Sequence, residues 1–329
     1  MRYLYHNIVL KVVIGNVIFD QANSITISQS IKKLSDTATI ILPRAYTKAN
    51  IKGKVTSLDK KNITDFIKVD DPVEIFLGYD DALVSEFKGY VTRIGADAPL
   101  EIKCEDEMYK LKKNHFSKAF ENATLKQLLK VIAPGYTYEL IDNVVLGKMT
   151  IDNKSAFKVL ESLRKNYGLH SFFKNREVLH VGFPISIPPT DPHPVVINRN
   201  VRALSNNLKF VKKDDIKLLV KYVSVLESGR KIHGQYGDTG GSEKVITVPR
   251  TTKAELERLA EKDYKSLSFD GYQGTLPTWG VPRTKAGDTI EINDPRYSEH
   301  NGKYLIEGVT IKADRSNGFL RENKLGLKL

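Results

Sequence analysis

The chain has 329 residues, 41% hydrophobic and 27% charged, an ordinary globular balance with room for two or three domains. Lys plus Arg number 51 against 39 Asp plus Glu, a net charge of +12, which suggests acidic partners without establishing nucleic-acid binding. The single cysteine, Cys104, excludes an internal disulfide framework and any multi-thiolate metal site. No run reaches the ~18 apolar residues of a membrane span, and Lys11 interrupts the only apolar stretch near the start, so no secretory signal is expected. A soluble, reducing compartment is the expectation.

Residues 1–112 read as strands. Apolar runs at 8–14 and 17–19 flank Gly15-Asn16, a two-residue hairpin signal in which glycine supplies positive φ. Ile25-Thr26-Ile27-Ser28 alternates, and 38–42 is a buried-strand run closed by Pro43. Residues 46–70 are lysine-rich and without period, and read as a long surface loop. Strand pattern returns at 73–78, 87–94 and 100–104, which argues for a sandwich or barrel. Cys104 falls in the last of these and reads as a small buried hydrophobe.

The period changes after 112. Thr124 is placed to cap a helix bearing Leu125, Leu128, Leu129 and Ile132, which Pro134-Gly135 stops. Ser155 is placed to cap a second, with Phe157, Leu160, Leu163 and Tyr167 on one stripe and Gly168 after its last turn. Short strands are expected after each helix, near 136–140 and 178–181. Five prolines between Phe183 and Pro194 then remove backbone donors, so 184–198 reads as a semi-rigid connector. Strand pattern follows at 216–226, a flexible loop at 229–242, and a further strand at 244–248. Thr252-Lys253-Ala254-Glu255 fits a capping box, and 288–292, 304–313 and 319–327 are strands again. The predicted class is α+β, mainly β. It comprises a first β-barrel domain over 1–112, an inserted two-helix α/β domain over 113–183, the connector over 184–198, and a second β-barrel domain over 199–329 with a small α/β excursion around 249–283.

The two β regions echo each other. Val73-Glu74-Ile75 precedes Phe87-Lys88-Gly89-Tyr90-Val91 much as Ile290-Glu291-Ile292 precedes Ile306-Glu307-Gly308-Val309. Duplication predicts that Glu74 matches Glu291 and Gly89 matches Gly308, within a residue or two of register; chance similarity of two hairpins is the alternative.

Chemistry is harder to find. The seven histidines are scattered without metal-ligand spacing, although His170 and His180 flank a hairpin and could approach each other. Gly234-Gln235-Tyr236-Gly237-Asp238-Thr239-Gly240-Gly241 lacks the lysine and following helix of a phosphate loop and reads as a mobile connector. Acidic pairs such as Asp70-Asp71 read as solvated turns, and there is no nucleophile elbow. No catalytic residue, metal site or cofactor is predicted. Charge does cluster between Arg199 and Ile232, nine basic residues against three acidic. Within it Lys217 and Lys221 fall on one side of an alternating strand and are the candidate partner-facing basic residues; a solvated outer face is the alternative.

This order resembles the baseplate hub proteins of contractile phage tails, the late control protein D family. The resemblance rests on Val13-Ile14-Gly15-Asn16-Val17 through Ile25-Thr26-Ile27-Ser28-Gln29-Ser30-Ile31, and on Val73-Glu74-Ile75 to Gly89-Tyr90-Val91. It rests also on Asn153-Lys154-Ser155 to Tyr167-Gly168 with Phe172-Phe173-Lys174-Asn175, and on Gly287-Asp288-Thr289-Ile290 with Gly302-Lys303-Tyr304-Leu305-Ile306-Glu307-Gly308-Val309. The likeness spans nearly the whole chain, and each motif is a fold signature. It implies a non-enzymatic homotrimer whose two barrels per chain form a ring of approximate sixfold symmetry. The implied partners are the tail tube protein, a separate tail spike protein and other baseplate proteins, with DNA only in transit and no membrane anchor. The implied location is the virion tail baseplate, assembled in the bacterial cytoplasm. The hub of a tail-like bacteriocin or other contractile injection system is the alternative. A cell-wall-degrading tail enzyme lacks a placed acid or metal, and a nucleic-acid-binding protein lacks a recognition motif.

Overall fold

The computed structural model describes residues 7–329 except 44–47, 52–53, 58–62, 81, 141–143, 175, 203–206 and 227–229. The class is the predicted one, α+β and mainly β. Alternation sets the strands: every second residue of Thr37–Leu42 and Leu100–Glu105 is buried, and those side chains, Cys104 included, meet in one core. Gly15 takes φ +55° in the tight turn that lets Ile14 face Val17.

Six N-terminal strands lie side by side in the order Ser24–Ser30, Thr37–Leu42, Leu100–Glu105, Ala82–Ile94, Pro72–Tyr79, Ile8–Ile14. Six C-terminal strands follow the same order: Leu208–Val211, Gly271–Trp279, Gly318–Lys328, Gly302–Asp314, Thr289–Asn293, His193–Val196. Only the last pairing differs, antiparallel in the first unit and parallel in the second.

The match extends to register. Glu74 faces Lys88 as Glu291 faces Lys303, and both pairs make cross-strand ion pairs, at 3.0 and 3.8 Å. Val91–Cys104, Arg93–Lys103 and Ile94–Ile102 repeat as Ile306–Leu325, Gly308–Lys324 and Val309–Asn323. The register shift that skips Thr92 recurs at Glu307. The turn before each Glu-bearing strand is also duplicated. Lys68 N–H donates to Asp71 Oδ2 (2.7 Å) as Lys285 N–H donates to Asp288 Oδ2 (2.9 Å). Val91 N–H donates to Asp71 O as Ile306 N–H donates to Asp288 O, both at 2.9 Å. Asp70 and Gly287 occupy the same place with φ +78° and +93°. Glu74 therefore matches Glu291 as expected, but Gly308 matches Arg93, and Gly89 matches Tyr304.

Neither unit closes into a barrel among the described residues. Instead Ser24–Ser30, the outer strand of the first unit, pairs antiparallel with the free edge of Gly302–Asp314. One sheet of 15 strands results, and one core runs through both units. The Pro-rich stretch is more than a connector, because His193–Val196 is a strand of the second unit. Pro194 is tolerated there because this is an edge strand. Thr190 and Thr289 pin the preceding residues, each accepting the other's backbone N–H at its hydroxyl, at 3.0 and 2.8 Å. The expected loop 46–70 contains the hairpin Lys48–Ile51 and Lys54–Ser57, and Ile63 and Ile67 are buried; 46–47, 52–53 and 58–62 lie outside the described residues.

The insert has its two predicted helices, Leu125–Ile132 and Ala156–Tyr167. Thr124 closes a reciprocal capping box with Gln127, Ser155 caps Lys158, and Gly168 ends the second helix in the left-handed conformation. Their apolar stripes are buried, Leu125, Leu128, Leu129 and Ile132 on one, Leu160 and Leu163 on the other; each such side chain contributes ~1.5–3 kcal/mol. A two-stranded ribbon, His115–Thr124 with Val145–Ser155, joins them.

The excursion begins earlier than its predicted 249–283. Lys231–Gly237, Leu218–Val225 and Ser242–Val248 form a separate three-stranded sheet under the helix Lys253–Leu267. About half of the expected mobile connector is thus strand (Gly229 lies outside the described residues), and its Gly234, Gly237 and Gly241 serve close packing. A Cβ on Gly234 would lie 2.5 Å from Leu256 Cβ and from Glu257 N. This layer shares a second core with the insert.

Candidate functional site

A cleft of about 500 Å³ opens where the two β units meet the insert. Five basic and five acidic side chains line it together with aromatic and proline side chains such as Phe172, Phe173 and Pro188. Its base is set by a bulge: Ile75 faces Phe87 and Phe76 faces Ser85, which leaves Glu86 unpaired in the ladder and turned inward. Glu86 meets Arg321, the largest fully buried side chain. The Arg321 guanidinium also donates to Gly280 O (2.7 Å) and Thr284 O (3.1 Å), and Arg283 Nε lies 3.4 Å from the same Glu86 oxygen. Burial lowers the Arg321 pKa, and Glu86 holds it charged. This ion pair links the first unit to the second across 235 residues of chain. Sequence reasoning passed over it, although Phe319, Arg321, Asn323 and Leu325 share the inward parity of one strand.

Two more acids converge at the cleft. Asp36 O accepts the Asp106 N–H at 3.0 Å, Asp36 Oδ1 accepts the Ser30 N–H at 3.0 Å, and Asp106 Oδ1 accepts the Met108 N–H at 3.2 Å. Removal from water pushes the Asp36 carboxyl up to about 7. Burial and then the Asp36 charge push Asp106 well above the usual carboxylate range. Their bonds run to backbone at the end of the strand Ser24–Ser30 and at the start of the helix Met108–Lys113, so they organise the junction. Among the described residues no group of three His, Cys, Asp or Glu side chains could hold a metal.

The predicted basic candidates lie elsewhere. Lys221 sits on Leu218–Val225 and pairs with Glu243 of the neighbouring strand; Lys217 precedes that strand and is exposed. Both belong to the three-stranded layer, not to the large sheet on which a barrel strand would place them. His170 and His180 lie on adjacent strands but do not pair; His180 contacts Glu139 at 3.3 Å. Burial holds the His170 imidazole down to about 4 and pushes the Cys104 thiol up to about 12.

No family model matches the chain, and no curated protein matches it by sequence. Solved structures do. A tail protein from Neisseria meningitidis aligns over 98% of this chain and 97% of its own, with TM-score 0.64 and 16% identity. The 43 kDa tail protein of prophage MuSo2 from Shewanella oneidensis aligns over 96% and 97%, with TM-score 0.60 and 15% identity. The fold is that of phage tail proteins. An E. coli component of the type VI secretion system, described as similar to bacteriophage T4 tail proteins gp27 and gp5, aligns over 98% of this chain and 77% of its own, with TM-score 0.59 and 11% identity. These likenesses cover both β units, the insert and the three-stranded layer together.

Proposed function

We propose that the chain is the structural hub of a contractile phage or prophage tail, a trimeric ring that joins a sixfold tail tube to a trimeric spike. The observation that carries this reading is the duplication. Two units with the same strand order, the same Glu–Lys pair and the same bulge give each chain two equivalent positions, so three chains supply six. The fold shared with phage tail proteins supports it, and the buried Arg321–Glu86 pair gives such a ring rigid segments. Tail tube protein, a tail spike and other baseplate proteins are the partners, with Lys217 and Lys221 on a face toward one of them, and the role is non-enzymatic. The hub of a tail-like bacteriocin or a type VI-like injection system is the second reading, favoured by the third structural likeness. Light scattering of the purified chain, alone and with its spike, tests the proposal: a trimer is expected, and a monomer or dimer in both conditions refutes it. Release of peptidoglycan fragments by the purified chain would refute the non-enzymatic role.

A further inference from the structure

Every strand of the duplicated set has a counterpart, and so does the junction between the units. Within the chain, the unpaired edge of Gly302–Asp314 takes up Ser24–Ser30: Gly308 faces Ser30, Val309 faces Gln29, Thr310 faces Ser28, and Ile31 N–H donates to Glu307 O at 3.0 Å. The register places the counterparts without freedom. Gly308 and Val309 match Arg93 and Ile94, and Glu307 matches Thr92, because their partners Lys324 and Asn323 match Lys103 and Ile102. Thr39 and Thr275 match, since each faces one of those lysines, so Ile27 matches Leu208 and Ser30 matches Val211.

Both counterparts are open edges. Among the described residues the sheet ends at Leu208–Val211, which pairs there only with Gly271–Trp279. Beyond Val91, which bonds to Asp71, no strand covers that side of Arg93 and Ile94 among the described residues, and Arg93 is exposed. Open strand edges invite pairing with another chain. A head-to-tail contact between two different patches closes into a ring when the rotation allows.

We propose that Leu208–Val211 of one copy adds antiparallel to the Thr92–Gly95 edge of a second copy. Val211 faces the neighbour's Arg93, Phe210 its Ile94 and Lys209 its Gly95, while the Lys212 N–H takes the bond to Thr92 O that Ile31 makes to Glu307 O within the chain. This rests on the ring reading above and assigns its contact between chains.

The double variant R93C/V211C tests it. Directly opposed residues of an antiparallel pair lie within disulfide reach. The native Cys104 is buried with a raised pKa and supplies a silent background. Mild oxidation is expected to give covalent dimer and trimer on a denaturing gel and nothing larger. R93C alone, V211C alone and the off-edge pair K88C/V211C stay unlinked, and mixing the two single variants gives covalent dimer. A trimer by light scattering whose R93C/V211C chains remain unlinked overturns the pairing and leaves the ring standing. Equal linking in the K88C/V211C control overturns the pairing too. Unlinked chains that remain monomeric with the spike present overturn both.

Discussion

Methionine at position 321 removes the charge that binds the two β units while keeping most of the side-chain volume. Arg321 is fully buried and bonds Gly280 O, Thr284 O and Glu86, whose own side chain is 2% exposed. In R321M the Glu86 carboxylate stays buried, balanced less closely by Arg283, 3.4 Å away, and by the charge of Lys285. Breaking one partner of a buried ion pair costs about 3–5 kcal/mol, because the remaining charge keeps its desolvation penalty. Removing both charges in E86L/R321M takes that penalty away, so the double variant is expected to be more stable than R321M alone. Trp279, the only tryptophan, faces Leu320 beside Arg321 and reports the change as urea unfolds the chain. A loss below about 1 kcal/mol in R321M, or a double variant as weak as the two single losses added together, would refute the assignment of this pair as the lock.

Three further outcomes are expected. The folded Asp36 carboxyl titrates near 7 against about 3.9 unfolded, so the folded chain holds the extra proton and stability falls as pH rises from about 4 to 7. Melting temperatures of wild type minus D36N should carry that slope, separated from the opposite one of His170, whose depressed pKa favours folding as pH rises toward 6.5; a flat difference counts against it. Gly234→Ala drives a methyl into the Lys253–Leu267 helix and should cost about 1–3 kcal/mol by thermal melting, whereas Gly240→Ala meets no atom within 4 Å and should cost only its left-handed strain, about 1–2 kcal/mol. K217E/K221E should slow assembly with the tail partners at low salt, with a loss that shrinks as salt rises; an unchanged rate at low salt identifies a solvated face.

The helices were legible because each carries its own local signals. Thr124, Ser155 and Thr252 cap helices where the spacing places them, and Gly168 ends one. The duplication was only partly legible. Lys68-Val69-Asp70-Asp71-Pro72-Val73-Glu74-Ile75 aligns with Lys285-Ala286-Gly287-Asp288-Thr289-Ile290-Glu291-Ile292, a longer echo than the Glu-centred triplet alone. It hides because Asp70 and Gly287 solve one backbone requirement, positive φ, with different residues. Gly308 misled as a marker: its counterpart Arg93 needs no glycine. Edge pairing is invisible locally, so nothing in 184–198 announced a strand completed by Thr289–Asn293. The acids Asp36 and Asp106 meet only because Thr37–Leu42 and Leu100–Glu105 are neighbours in the sheet.

A ring of six positions built from three chains cannot be uniform, and the two hairpins locate the difference. In the first unit the hairpin between Ala82–Ile94 and Leu100–Glu105 ends one rung beyond Ile94–Ile102, where Gly95 N–H donates to Glu101 O. In the second it continues past the matching rung, Thr310–Glu322, to Asp314–Gly318. That added length is what holds Ser24–Ser30, through pairs running from Gly308–Ser30 to Asp314–Ser24. In the proposed ring the junction inside each chain is therefore long and the one between chains short. Such an arrangement keeps sixfold spacing for a tube while alternating strong and weak seams, which is threefold symmetry. The weak seam is the one that forms by mass action, so the trimer should dissociate on dilution and be held together by any threefold partner that spans its seams. Extending the Ala82–Ile94 hairpin by the residues it lacks should strengthen the trimer at low concentration, and the chain's own Ile311–Leu320 segment supplies the natural graft.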